Sequence, residues 1–270
     1  MKLKKTFSFS DKYQIWRLLI SDADKLIIET RGTEKKEVFF HCVDLLSGKK
    51  IFKKFQLEEK YWIGIEAVEN DKIYFHSFAK PNMPKHKKIY VYDISLQKMI
   101  WQNEDLTFLA IKQNQLYAFK KKFEGRDVYS LDLENGNIIK KHEEAFVEDF
   151  LTNNQFEKDF SQYKYPANFN ENKDSKISEI INKEIGGKQN IQNIDFMVYN
   201  DFLFFNYYLS LENNLLDNEF CVYNIDKKKK VISETINKNL YSFSPDSFFA
   251  YKNFLLLLKN KNEIISYKIV

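Results

Sequence analysis

The feature that most constrains this chain is a hairpin that recurs along it. Five stretches align: "FFHCVDLLSGKKIF" (39–52), "KIYVYDISLQKMIW" (88–101), "DVYSLDLENGNIIK" (127–140), "FCVYNIDKKKKVI" (220–232) and "EIISYKIV" (263–270). Each is an alternating apolar run ending on an anchor: Asp44, Asp93, Asp132, Asn224 and, in the last, Lys268. In the first four a short polar turn and a second strand follow. Such alternation marks a strand with one buried face. An Asp or Asn at its end can accept backbone N–H groups of the turn. Gly48 and Gly136 can supply the left-handed backbone these turns often need. The second and fourth copies lack that glycine, so their turns are expected to differ. Further along each copy stand Phe52, Trp101, Lys140 and Ile232, a mostly apolar slot that suits packing against a neighbouring unit.

Upstream of each hairpin lies a second pair of apolar runs with a polar break: "IWRLLISDADKLIIE", "YWIGIEAVENDKIYF", "LTFLAIKQNQLYAF", "IDFMVYNDFLFFNYY" and "FFAYKNFLLLLK". One unit is therefore four antiparallel strands, recurring with a period of about 45 residues. The expected fold is all-β: a five-bladed β-propeller of four-stranded antiparallel blades, one domain over residues 1–270. The last blade stops after its third strand, and the N-terminal "KLKKTFSFS" can supply the fourth, removing an exposed edge. The gap between the third and fourth anchors is about two periods long. It contains an insertion in the fourth blade, at about 150–190. There Ile177, Ile180, Ile181 and Ile185 share one helical face. Asp174 or Ser175 is the expected N-cap and Gly186-Gly187 the expected stop.

The hairpins "VYDISLQKMIW" and "VYSLDLENGNII" resemble blades of quinoprotein-like propellers. The stretches 56–94 and 205–225 give the whole chain a closer resemblance to an uncharacterised bacterial domain-of-unknown-function family with that propeller character. The resemblance implies the fold and brings no activity with it. Quinone-binding enzymes of the larger fold have more blades and a metal-bound cofactor pocket, and neither is read here.

Composition narrows the function classes. No run approaches the roughly 18 apolar residues a membrane helix needs, and the basic N-terminus has no apolar core of a secretion signal. Cys42 and Cys221 lie far apart in strand-like runs, which fits two buried thiols in a reducing cytoplasm. The net charge of +4 rests on Lys, since Arg17, Arg31 and Arg126 are the arginines. Nucleic acid, which favours Arg forks, is not expected as a partner. The Lys runs 49–50, 85–88, 120–122 and 227–230 fall in turns and connections and suit edge protection.

Familiar catalytic motifs are missing: no Gly-rich phosphate cradle, no nucleophile elbow, no Cys or His metal spacing. No catalytic residue, cofactor or metal is expected. His76 and His86 flank "SFAKPNMPK" and can meet across a loop, but a metal needs further ligands, so strand or surface roles are expected for them. Trp16 and Trp62 open the innermost strands of the first two blades, where core packing is the expectation. An acidic pair follows the outer strand of three successive blades: Glu58-Glu59, Glu104-Asp105 and Glu143-Glu144. Propeller connectivity would set these on one face, with Glu66 and Asp195 nearby on inner strands. Solvated charge explains such loops, and so does a binding face formed by them with Trp62. The reading is a cytoplasmic, non-catalytic binding or scaffold propeller for a protein or small-molecule ligand, using this acidic face and the 150–190 insertion. The alternative is a carbohydrate-active hydrolase or lyase with carboxylates at the channel mouth.

Overall fold

The computed structural model describes residues 2–80, 83–143, 146, 160–188, 191–211, 214–245 and 247–270. In chain order the strands are β1 (Leu3–Ser10), β2 (Gln14–Ile20), β3 (Lys25–Gly32), β4 (Glu37–Asp44) and β5 (Lys50–Phe55). There follow β6 (Ile63–Glu69), β7 (Lys72–Lys80), β8 (Met83–Asp93), β9 (Lys98–Asn103), β10 (Thr107–Lys112), β11 (Gln115–Lys121), β12 (Arg126–Asp132) and β13 (Ile138–His142). The short β14 (Tyr163–Lys164) and β15 (Ala167–Asn168) precede an α-helix, α1 (Ser175–Ile185). The chain continues with β16 (Ile191–Tyr199), β17 (Phe202–Ser210), β18 (Leu216–Asn224), β19 (Lys229–Leu240), β20 (Phe248–Tyr251), β21 (Phe254–Lys259) and β22 (Glu263–Ile269).

The fold is all-β and built from antiparallel meanders, in four open sheets. Strands β2–β5 form one meander. Strands β6–β9 and β10–β13 form two more, joined by one parallel pair, Thr107 with Lys88. Strands β16–β19 form a fourth meander, with β15 on its edge. In the last sheet β1 pairs antiparallel with β22, from Leu3 opposite Ile269 to Ser10 opposite Glu263, so the N-terminal stretch supplies the missing strand. The chain divides into two compact units: Tyr13–Lys158, and Met1–Lys12 with Asp159–Val270.

The anchors behave as their chemistry demands. The side-chain oxygen of Asp44 accepts from Ser47 N at 2.7 Å, that of Asp93 from Leu96 N at 2.7 Å, and that of Asn224 from Lys227 N at 2.7 Å. Asp132 accepts from both Glu134 N and Asn135 N. The residue after the anchor then donates to the preceding hairpin turn: Leu45 N to Asp24 O, Ile94 N to Asp71 O and Ile225 N to Asp201 O. The copies without glycine differ in hydrogen bonding, as expected: Gly48 N and Gly136 N donate to Asp44 O and Asp132 O, whereas Lys228 N donates to Ile225 O. Gly48 and Gly136 have φ of 70° and 72°, and Gln97 and Lys228 take the same left-handed conformation in the equivalent places, at 51° and 49°. Four hydrogen-bonded anchors hold the turn against local preference. A non-glycine residue there loses about 1–2 kcal/mol, and glycine's extra freedom in the unfolded chain takes back about half of that. Gln97→Gly is therefore expected to raise stability by about 0.5–1 kcal/mol, read as a higher urea midpoint at unchanged slope.

Each unit has its own apolar core. In Tyr13–Lys158, Ile27, Phe40 and Cys42 of the first meander pack with Ile63, Ile65, Phe75 and Tyr92 of the second. Tyr74, Ile89 and Val91 on the second pack with Leu116, Ala118 and Leu131 of the third. Phe52 and Trp101 fill their slots between neighbouring meanders, as expected. Phe52 meets Tyr92 edge-on, and Trp101 Nε1 donates to Leu133 O at 2.9 Å. In the other unit, Phe202, Phe204, Phe220 and Val222 pack with Phe248, Leu255 and Leu257. The opposite face of that meander, with Leu203, Phe205, Tyr207, Cys221 and Tyr223, lies under α1 through Ile177, Ile181 and Ile185. Asp174 caps α1, accepting from Lys176 N and Ile177 N, and the chain leaves through Gly187 at φ 84°. The helix thus has the cap, face and stop read from the sequence. Cys42 and Cys221 are free thiols that burial pushes up to about 12.

Candidate functional site

The first strand of each of the first three meanders carries a β-bulge against the second strand, located at Trp16, Glu66 and Leu109. A bulge adds one residue, re-aims its side chain and breaks the alternation of faces. Two of these positions hold apolar side chains. The third holds a carboxylate that is only 16% exposed. A second bulge lies on β8 opposite His76, where Lys88 and Ile89 stand between the pairs Phe75 with Tyr90 and Ser77 with Lys87.

The result is a cluster of three ligand-type side chains on β6, β7 and β8. Glu66 Oε1 lies 2.5 Å from His86 Nδ1 and 3.1 Å from His76 Nδ1. The two imidazoles stack in parallel, centroids 3.5 Å apart and planes 10° apart. Phe78 closes the edge of both rings. His76 is 2% exposed, and its approach to Glu66 is close without being aligned, so neither ring nitrogen has a hydrogen-bond partner. Room for this ring comes from Gly64. A Cβ there would lie 3.0 Å from His76 Cε1, 3.1 Å from Nε2 and 3.5 Å from Arg31 Nη2.

Arg31 occupies on β3 the place that His76 occupies on β7, each paired two residues before the bulge. Its Nε donates to Glu29 Oε1 at 2.6 Å, its Nη1 to Tyr61 O at 3.0 Å, and its Nη2 to Ile63 O. The guanidinium also lies over the rings of Trp16 and Tyr61. Glu29 is buried with Oε2 unpaired, and Arg17 donates to Ile65 O.

The electrostatics follow from this arrangement. Burial alone would lift the Glu66 carboxyl, but the close imidazoles of His76 and His86 hold it below its ordinary value. Burial pushes the His76 imidazole down against the pull of Glu66, with His86 and Arg17 adding to the downward push. Two imidazoles and a carboxylate within 4.8 Å of one another form a donor set that can hold a metal ion. His76 and His86 lie on strands, as expected, and the structure adds the further ligand-type group that the sequence reading lacked. The histidines meet across paired strands, and Glu66 is the further ligand.

The other expected site residues have separate surroundings. Glu59 caps its own turn, accepting from Tyr61 N at 3.0 Å and Trp62 N at 2.9 Å. Glu104 is paired with Lys88, and Asp105 lies 4.0 Å from Lys120. Glu58 and Glu143 are exposed, and Glu144 lies outside the described residues. Asp195, in the other unit, accepts from Asn193 Nδ2 at 2.9 Å. Trp62 packs edge-on against Tyr61 and Phe78, within the wall of the cluster. Trp16 is 60% exposed beneath Arg31, which corrects its expected place in the core. Glu66 is the member of the acidic set that meets other donor groups, and its partners are imidazoles. Sequence reading gave Glu29 and Arg31 no site role, and it paired His76 with His86 without seeing a further ligand for them. The one signal available was a buried-strand pattern interrupted by ionisable residues.

A family model described as a domain of unknown function (DUF4905) matches residues 20–101, which include β6–β8 and hence the cluster. No curated protein matches the chain. Among solved structures, the β-propeller domain of the trilobed protease from Pyrococcus furiosus is 10% identical with a TM-score of 0.32, covering 93% of this chain and 64% of that one. A eukaryotic initiation factor is 8% identical at 0.36, covering 88% and 57%, and the Dos1 propeller is 12% identical at 0.32, covering 94% and 67%. The chain spans less than two thirds of the first two. No described helix is long and apolar enough to cross a membrane.

Proposed function

We propose that the meanders are the five blades of a single cytoplasmic β-propeller that works as a non-catalytic binding module. Its specific contact is made at the Glu66–His76–His86 cluster. The observation that supports this is a buried imidazole with both nitrogens unpaired. A core gains nothing from such a group, because an unpaired buried polar atom is destabilising by about 1–3 kcal/mol, and such groups persist where a ligand satisfies them. Trp62 forms part of the wall. The acidic loop residues Glu58, Glu59, Glu104, Asp105 and Glu143 of the same unit contribute long-range attraction for a cation.

The test is thermal melting of the chelator-treated chain against a panel of sugars, carboxylic acids, amines and short peptides. The native chain and Glu66→Gln are compared throughout. A ligand that raises the melting temperature of the native chain and not of the variant supports the reading. If every compound acts equally on both, and immobilised native chain retains nothing from lysate that the variant does not, the reading fails.

A further inference from the structure

We infer that the Glu66–His76–His86 cluster is a binding site for a divalent first-row transition metal ion, with zinc the reference occupant. The inference rests on the reading of this cluster as the contact site and names its ligand class. Three observations converge on it. The donor set is two imidazoles and one carboxylate, which suits zinc and its neighbours and not magnesium or calcium, whose sites are built of oxygen. The spacing is close to what an ion imposes. A tetrahedral ion with bonds of about 2.0–2.1 Å sets its ligand atoms roughly 3.3 Å apart. Glu66 Oε1 and His76 Nδ1 are 3.1 Å apart, and the ring of His86, 2.5 Å from Glu66 and stacked on His76, is 37% exposed and so can rotate to aim its Nδ1 at the same ion. The third observation is independent of the first two: His76 is 2% exposed and its Nδ1, facing Glu66, has no hydrogen-bond partner.

The bulges give the inference its structural logic. Equivalent positions in the neighbouring meanders hold Trp16 and Leu109 in place of Glu66, and Arg31 and Phe119 in place of His76. The carboxylate and the imidazole are thus departures from a repeating apolar and cationic plan, and they occur together on one meander. His86 completes the set from the next strand. His86 being 37% exposed gives the ion a route to solvent, while Phe78 and Gly64 fix the inner ring. Three protein ligands leave a tetrahedral ion one position for water or an anionic group of a further ligand. Arg31 belongs to the same neighbourhood, held in register by Glu29, and its charge favours an anionic rather than a cationic group at that position.

The experiment uses the full chain without a histidine tag, stripped with chelator and titrated with Zn²⁺ against a chromogenic competitor, then with Co²⁺ read by its visible d–d bands. One ion per chain is expected, with the cobalt spectrum of a four- or five-coordinate site containing nitrogen ligands. His86→Ala and Glu66→Gln should each weaken binding at least about tenfold, the lower end of what even outer-shell changes do, and should shift the cobalt bands. His86→Ala removes a partly exposed side chain, so it keeps the test valid if His76 variants fail to fold. Absence of stoichiometric binding, or equal affinity in the native chain and both variants, overturns the inference. If metal binding fails while an organic ligand from the panel still distinguishes Glu66→Gln, the binding reading stands and the metal assignment alone is wrong.

Discussion

Arg31→Met is expected to destabilise the fold by about 3–5 kcal/mol, the scale for removing one partner of a buried ion pair. Arg31 is 8% exposed and Glu29 1%. The guanidinium satisfies one Glu29 oxygen and two carbonyls, Tyr61 O and Ile63 O, so its loss leaves a buried carboxylate and two backbone acceptors without it. Those carbonyls sit on the approach to β6, so the variant should also loosen the strand that carries Glu66. Replacing both partners, with Arg31→Met and Glu29→Gln together, should recover much of the loss, because an uncharged pair no longer strands a charge. Urea melts of the two variants measure this. A single variant within 1 kcal/mol of the native chain, with no recovery in the double variant, would show that the pair is not holding β3 to β6.

Trp101→Ala is the second large effect, expected at roughly 2–4 kcal/mol, somewhat below the range for a fully buried tryptophan since Trp101 is half-buried. The ring packs among Leu133, Leu131 and their neighbours, and its Nε1 donates to Leu133 O. It also lies against Gly136, where an added Cβ would sit 2.6 Å from the ring at a φ of 72°. Gly136→Ala should therefore be destabilising too, both by strain and by displacing Trp101. The two changes share one contact, so the double variant should be less destabilised than the singles add up to. Trp101→Phe retains part of the packing and loses the hydrogen bond, a difference of about 1 kcal/mol. Strict additivity in this cycle would separate the turn from the tryptophan and remove the proposed wedge between meanders.

The parts of the fold legible in sequence are those fixed by local chemistry. Asp44, Asp93, Asp132 and Asn224 announce their turns because a short oxygen-bearing side chain at a strand end has few other uses. The isoleucines of α1 and its Asp174 cap are read as easily, since cap and face lie within a few turns of one another. The turn at Gln97 takes a left-handed backbone without glycine because a glycine rule describes local preference, and here tertiary hydrogen bonds override it. The cluster was illegible for a different reason. Glu66 sits at a bulge on β6 and His76 faces one on β8, and a bulge shifts the alternation by one residue, so the pattern gives no sign of which side chains meet. Proximity of His76 to His86 was visible as a possibility; their meeting with Glu66 depends on the register of three strands. The acidic pairs show the converse: they recur in sequence, yet Glu59 and Glu104 serve a turn and a lysine.

The pairing of β1 with β22 has a consequence for how the chain comes into being. Synthesis delivers Leu3–Ser10 long before Glu263–Ile269, and Thr6 Oγ1 meets Ser266 O only across 260 residues. The contiguous unit Tyr13–Lys158 can assemble while the ribosome is still working, since domains fold as units in order of emergence. The unit that holds both ends cannot. Its strand β1 must stay unpaired until Glu263–Ile269 emerges, a naked ladder of donors and acceptors that carries Lys4 and Lys5 and follows Lys2. Once paired, β1 remains the outermost strand of its sheet, with β22 on one side, and those charges guard the edge that is left.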